Sequence, residues 1–166
     1  MRLSEFKIKM IEINIFKHKI WNRKSLSKAE IKKIVNECFI QTNSEIRNVF
    51  LNVSFIDSKL IRELNFKYRG KNNITNVLSF EDKFSNVKNN NKILFGDVAL
   101  CYEQIKEEAS QFNKQFKDRL YHMFVHGILH LFGYNHIKYK DRKEMEMLEE
   151  KILLKFKITD PYFYYL

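Results

Sequence analysis

Three histidines carry the chemistry most visible in this chain. His126, His130 and His136 fall within the stretch HGILHLFGYNH, spaced four and six residues apart with Gly133 between the last two. On an α-helix, residues four apart lie one turn above the other on the same face. His126 and His130 can therefore aim two imidazoles at one point. Gly133 can adopt the left-handed backbone that ends a helix, so that the chain turns back and His136 supplies a third nitrogen. Three neutral nitrogen ligands with a fourth position open is the donor set of a catalytic zinc, not of a closed structural one. A lone histidine in an apolar helix is ordinarily a core residue with a satisfied hydrogen bond. Three at this spacing, ahead of and behind a helix-ending glycine, point to a metal. The residues between them (Met123, Phe124, Val125, Ile128, Leu129, Leu131, Phe132) make the helix apolar nearly all round. It should be buried, and buried histidines need partners.

The spacing H-x-x-x-H-x-x-G-x-x-H is that of the metzincin proteases, in which a Glu follows the first His and serves as general base. Here that position is Gly127, which holds no proton acceptor, and Met145 and Met147 lie in a helical pattern instead of a turn. Zinc is kept in this reading while peptide hydrolysis is disfavoured. The stretch resembles instead the signature of the YbeY family of bacterial endoribonucleases, H-G-x-L-H-L-x-G-Y-D-H, with Asn135 where that family usually has Asp. Two further blocks resemble the same family. They are Tyr68 to Phe80 (YRGKNNITNVLSF), with Asn72 for Asp, and Phe95 to Cys101 (FGDVALC).

The resemblance implies a zinc-dependent endoribonuclease specific for single strands. It would act in ribosomal RNA processing at the 16S ribosomal RNA 3′ end and in ribosome quality control, in the cytoplasm. Its partners would be single-stranded or ribosomal RNA, the small ribosomal subunit and assembly factors. No membrane partner is expected, and the chain is expected to be a monomer. His126, His130 and His136 are the expected ligands of one Zn2+. Charge developing on a phosphorane needs a cation aimed at it, and Arg69 is the candidate: it sits where a helix enters a turn, and its counterpart in the family is implicated in activity. Lys71 is a second candidate phosphate contact. His122, one turn before His126, is left out of the ligand set, because three consecutive helix turns on one ion would be strained. Asp97 is unusual inside a strand and receives no catalytic role. Asn135 matters most: an amide can orient an imidazole or shape a turn, but it cannot act as a base. Two other readings remain: a non-catalytic RNA-binding ribosome-assembly factor with structural zinc, and a metal-dependent hydrolase of peptides or small molecules. The latter requires a carboxylate such as Glu81, Asp82 or Asp97 near the metal.

The elements that must hold these residues follow from periodicity. Met10 to Phe16 alternates as a strand, and Ser25 or Ser27 opens a helix to about Gln41. Val49 to Ile56 is a second strand, and Ser58 to Tyr68 a helix. Val77 to Phe80 is a short strand, Glu81 to Lys92 a mobile loop, and Ile93 to Cys101 a fourth strand. Helices over Tyr102 to Phe112, Phe116 to Phe132 and Asp141 to Lys155 follow, the last opened by an Asp141–Glu144 capping box. Its Glu144, Glu146, Glu149 and Glu150 are expected on a solvated face. The expected fold is α/β (α+β): a mixed four-stranded sheet packed with about five helices, around a buried helix carrying the histidines.

At 166 residues and 45% hydrophobic, the chain is expected to form one domain, 1–166, with a real core. The net charge of +10 fits a polyanion partner such as RNA. Most of the cations are Lys in a chain rich in Asn, Ile and Phe, so compositional drift explains the charge as well. Cys38 and Cys101 lie far apart in apolar surroundings and suggest no disulfide. Met1 to Trp21 is interrupted by charges and has no run long enough for a signal peptide or membrane span.

Overall fold

A computed structural model describes residues 8–81 and 92–162. Its four strands are β1 (Met10–Lys17), β2 (Ile46–Ile56), β3 (Val77–Glu81) and β4 (Lys92–Cys101). They form one mixed sheet in the order β1-β2-β4-β3, with β1, β2 and β4 parallel and β3 antiparallel to β4. Five α-helices accompany them among the described residues: α1 (Lys28–Thr42), α2 (Ser58–Arg69), α3 (Tyr102–Gln111), α4 (Phe116–Leu131) and α5 (Tyr139–Leu154). This is the α+β architecture expected from the sequence. The expected loop from Glu81 to Lys92 lies outside the described residues, apart from its two ends. No helix among the described residues is long and apolar enough to cross a membrane.

Parallel neighbours need a crossover, and α1 supplies the one from β1 to β2. It starts with a capping box in which the Ser27 hydroxyl accepts from the Glu30 N–H while the Glu30 carboxylate accepts from the Ser27 N–H. Ile31, Ile34, Val35, Cys38 and Phe39 form its buried stripe, as their spacing predicts. One face of the sheet and helices α1, α3, α4 and α5 enclose the main core, which includes Trp21, Phe55, Leu100, Phe124 and Ile152. The Trp21 indole N–H donates to the Ile56 carbonyl at 2.9 Å, so this buried ring keeps its hydrogen bond. On the opposite face a smaller cluster of Ile56, Ile61, Leu78, Ala99 and Cys101 seats α2.

Helix α4 runs through the centre, in contact with α1, α3, α5, β3 and β4. Two glycines permit its approach to the sheet. A Cβ on Gly96 in β4 would stand 2.6 Å from a Leu131 methyl, and one on Gly127 would stand 2.9 Å from the Ser79 hydroxyl and 3.1 Å from a Val77 methyl. The Ser79 hydroxyl donates to the Gly127 carbonyl at 2.9 Å, stitching β3 to the helix turn that carries His126.

Two sequence expectations for α5 fail. The helix begins at Tyr139, two residues before Asp141, and its N-cap Lys138 makes no side-chain cap. The chain arriving from the His136 turn is already helical by the time it reaches Asp141, which therefore sits in the first turn. Glu149 is not on a solvated face but fully buried. It follows Met145 by four residues and precedes Ile152 and Leu153, all of them buried, so the stripe that packs on α4 runs through it.

Candidate metal centre

The helix-ending glycine does what its position requires. Gly133 has φ +95°. Its N–H bonds to the His130 carbonyl at 3.0 Å, and the next N–H, of Tyr134, reaches back to the Leu129 carbonyl at 3.0 Å. These two bonds make a Schellman motif. The chain then reverses. The Asn135 side-chain oxygen accepts from the Ile137 N–H at 3.2 Å, closing an Asx-turn that holds His136 over the end of α4. The ring centroids of the three histidines lie 4.6 Å (His126–His130), 5.2 Å (His126–His136) and 5.1 Å (His130–His136) apart. One ring nitrogen from each lies within 4.8 Å of the other two, a grouping that could hold a metal ion.

Hydrogen bonds fix the tautomers of two of the rings. His130 Nδ1 stands 2.9 Å from the Tyr134 carbonyl, which can only accept, so Nδ1 carries the proton and Nε2 is bare. His126 Nδ1 stands 2.7 Å from a Glu149 carboxylate oxygen, with the same consequence. The two Nε2 atoms then face each other at 3.0 Å. Two lone pairs at that separation repel unless a cation sits between them. The donor set therefore fits a metal ion. Burial above all, then the electrostatic cost of a second cation beside the His126 and His136 imidazoles and Arg69, holds His130 down at about 4 despite its bond to the Tyr134 carbonyl. The imidazole is thus neutral at ordinary pH, the form that binding a metal would require.

Behind the ligands lies a group that the sequence reading placed in solvent. The second carboxylate oxygen of Glu149 accepts from His122 Nε2 at 2.7 Å and from the Tyr162 hydroxyl. His122 Nδ1 in turn accepts from Arg119 at 3.1 Å. Arginine can only donate, so His122 is neutral with its proton on Nε2. Burial favours that neutral form, outweighing the pull of Glu149. For Glu149 itself burial works to raise the pKa, but the hydrogen bonds from His122 and His126 prevail and hold it at about 2. Arg119 is bound on its other side by Glu108, at 2.7 Å and 2.9 Å, and Glu108 also accepts from Asn76. A continuous chain of buried and half-buried side chains thus links His126 to the start of β3. His122 belongs to this chain, consistent with its omission from the ligand set.

Arg69 is the last residue of α2, which Gly70 ends at φ +69°. Its guanidinium donates to the Ser79 carbonyl at 3.4 Å and lies over the Phe80 ring at 5.8 Å. It is held at the rim of the histidine site, close enough for its charge to be felt at His130. Lys71 is exposed in the turn that follows. Asp97 is not near the histidines. Its strand neighbours Gly96 and Val98 face α4, so Asp97 points to the opposite side, where it accepts from Asn52 at 3.0 Å. A cavity of about 250 Å³ opens beside the ligands, lined by His126, His136, Arg142 and Glu146 among others.

Comparison with known proteins gives the family of the chain. A family model described as Endoribonuclease YbeY matches residues 16–157. Endoribonuclease YbeY of Buchnera aphidicola subsp. Schizaphis graminum is 42% identical over 113 residues, covering 68% of this chain and 70% of that protein. The Chelativorans sp. protein of the same name is 37% identical over 142 residues, 86% of each chain. That of Ureaplasma parvum serovar 3 is 38% identical over 141 residues, covering 85% of this chain and 88% of the relative. The solution structure of TM1509 from Thermotoga maritima shares the fold, with a TM-score of 0.54, 23% identity, and coverage of 89% of this chain and 92% of that one. With a match over most of its length and relatives this similar, the chain belongs to the endoribonuclease YbeY family.

Proposed function

We propose that this chain is a single-domain, zinc-dependent endoribonuclease that cuts single-stranded RNA in the cytoplasm. Its role would be to process the 16S ribosomal RNA 3′ end and to take part in ribosome quality control, acting as a monomer on the small ribosomal subunit. The observation that carries this reading is the pair of bare Nε2 atoms facing each other at 3.0 Å, with His136 beside them, in a chain whose relatives are called endoribonucleases. Nitrogens bound tetrahedrally to zinc at ~2.0–2.1 Å stand roughly 3.3 Å apart, so a small shift of the His126 and His130 rings suits that ion. His126, His130 and His136 would hold it.

When bound, zinc supplies Lewis acidity that acidifies water and polarises a phosphoryl oxygen. The chain's own residues supply the rest. Arg69 would neutralise charge on the scissile phosphate, and Lys71 would hold a neighbouring one. Exposed basic residues lie on the two elements that bring Arg69 and Arg142 to the site: Lys67, Arg69 and Lys71 at and just beyond the end of α2, and Lys138, Lys140 and Arg142 at the start of α5. Exposed Tyr68 and Tyr139 accompany them, and aromatic faces between phosphate-binding cations suit unpaired bases. Against peptide hydrolysis stands Gly127, whose missing side chain would point into the sheet and not at the metal point.

The test is cleavage of a labelled, unstructured RNA by wild type and Arg69→Ala, purified in parallel with equal zinc content. Cleavage by wild type and a loss of about 100-fold or more in the variant is expected. Equal cleavage by both would show that Arg69 is no phosphate clamp. Cleavage by neither would refute the nuclease reading in favour of an RNA-binding assembly factor.

A further inference from the structure

We infer that Glu149 is a positioning residue for the metal centre, setting the tautomer and ring orientation of His126 and joining it to the buried core. The inference rests on the metal reading proposed above and adds to it a residue outside the three ligands. Glu149 lies wholly inside the protein, and its two oxygens receive His126 on one side and His122 and Tyr162 on the other. A carboxylate bonded to Nδ1–H leaves Nε2 bare and aims it away from itself. That direction is toward His130 Nε2. A histidine without such a partner would divide its proton between both ring nitrogens and rotate about its side-chain bonds. Only a small share of its conformers would then present Nε2 to the metal point.

The same geometry excludes a different role. Glu149 sits on the Nδ1 side of His126, across the ring from the point where Nε2 of His126 and His130 converge. Although Glu149 also lines the cavity beside the histidines, both of its oxygens already accept from His126, His122 and Tyr162, so neither is placed to take a proton from a water molecule at that point, as a general base would. Nor does it serve as a ligand, since both oxygens are engaged. Its anchor is rigid: His122 is held by Arg119, Arg119 by Glu108, and Glu108 by Asn76 at the start of β3. The metal end of α4 is thereby tied through α5 and α3 to the sheet. His130 takes its orientation from a backbone carbonyl of the Schellman turn instead. Two of the ligands are thus positioned by different means, one by the local chain and one by the distant core.

The test compares wild type, Glu149→Gln and Glu149→Asp. Glutamine keeps the shape but removes the charge, and its amide nitrogen presents a donor to one of the two imidazole N–H groups, His126 Nδ1–H or His122 Nε2–H. Aspartate keeps the charge but withdraws it by one methylene. Zinc affinity is measured for the metal-stripped proteins by competition with a chromophoric chelator, and the His126 tautomer by 15N imidazole spectra of the same proteins. Trp21 fluorescence checks folding. The expected result is a 10- to 100-fold weaker zinc affinity in each variant that folds, with His126 shifting from the Nδ1–H form toward a mixture. Zinc affinity within twofold of wild type and an unchanged His126 tautomer in every variant that folds, Glu149→Asp included, would overturn the inference. Should Glu149→Gln fail to fold, Glu149→Asp alone decides. If wild type itself binds no zinc, the metal reading falls and takes this inference with it, an outcome distinct from wild-type binding with unaffected variants.

Discussion

Gly127→Ala sets two physical effects against each other, and the structure decides which wins. On helix propensity alone, replacing a mid-helix glycine by alanine stabilises by about 1 kcal/mol. At this position the new methyl has nowhere to go. It would stand 2.9 Å from the Ser79 hydroxyl, 3.1 Å from a Val77 methyl and 3.2 Å from a Val98 methyl. Overpacking of this kind costs about 1–3 kcal/mol. The Ser79 hydroxyl can relieve the closest contact only by rotating away from the Gly127 carbonyl, forfeiting a hydrogen bond worth about 1 kcal/mol. The two valines are β-branched and have no alternative rotamer at low cost. The balance is a net loss of about 2 kcal/mol, or roughly 4–8 °C in Tm for a chain of this size. The assay is thermal and urea unfolding of metal-free protein, read by the fluorescence of Trp21, so that metal binding does not enter the comparison. Ser79→Ala in the same background should return about 1 kcal/mol of the loss, because it removes the nearest clashing atom. A Gly127→Ala protein as stable as wild type, or more so, would refute the packing argument and leave propensity in charge. The same reasoning bears on the protease reading. A glutamate at position 127 would be driven into β3 and β4, so Gly127→Glu should unfold the protein and create no peptidase.

Two other substitutions test local features. Asn135→Asp should keep zinc affinity and RNA cleavage within about threefold of wild type, because both residues accept the Ile137 N–H in the Asx-turn, whereas Asn135→Ala should weaken zinc binding about tenfold by freeing His136. A gain of about 100-fold in cleavage for Asn135→Asp would show instead that a carboxylate there does chemistry. Glu30 ties α1 to α4 through Lys117 and Tyr121. Burial would raise its pKa, but the Ser27 N–H, Lys117 and Tyr121 bonds prevail and hold it at about 2, below the ordinary 4.5. A depressed folded-state pKa contributes stability that is present above pH 4.5 and lost as the pH falls toward 2. Glu30→Gln should therefore cost about 1–2 kcal/mol at pH 7, and the difference from wild type should shrink through that window in pH-dependent urea unfolding. A constant difference down to pH 2 would contradict the assignment.

What the sequence revealed of the site, and what it hid, divides along a physical line. His126, His130, Gly133 and His136 act over a distance of a few residues on one continuous chain. Helix pitch and the glycine-ended turn therefore determine their relation before any tertiary contact forms, and their spacing can be read directly. The strands and most helices were legible for the same reason, since periods of two and 3.6 are local. Glu149 is a different case. Among four glutamates in seven positions of α5 it resembles a solvated face, and a charged residue is rarely fully buried unless paired. Its partners His122 and His126 are more than twenty residues away. Only the apolar stripe of Met145, Ile152 and Leu153 marked it, and that stripe becomes informative once α4 is known to offer two histidines to the same face. Asn135 lies between these cases. As a residue type it left base and turn-former equally open, and the hydrogen bond to Ile137 favours the turn. A metal centre of this design thus reads out its ligands locally and its supports only through the fold. The buried acid behind a ligand is therefore best sought on the apolar stripe of the neighbouring helix, at the position where a carboxylate breaks the pattern.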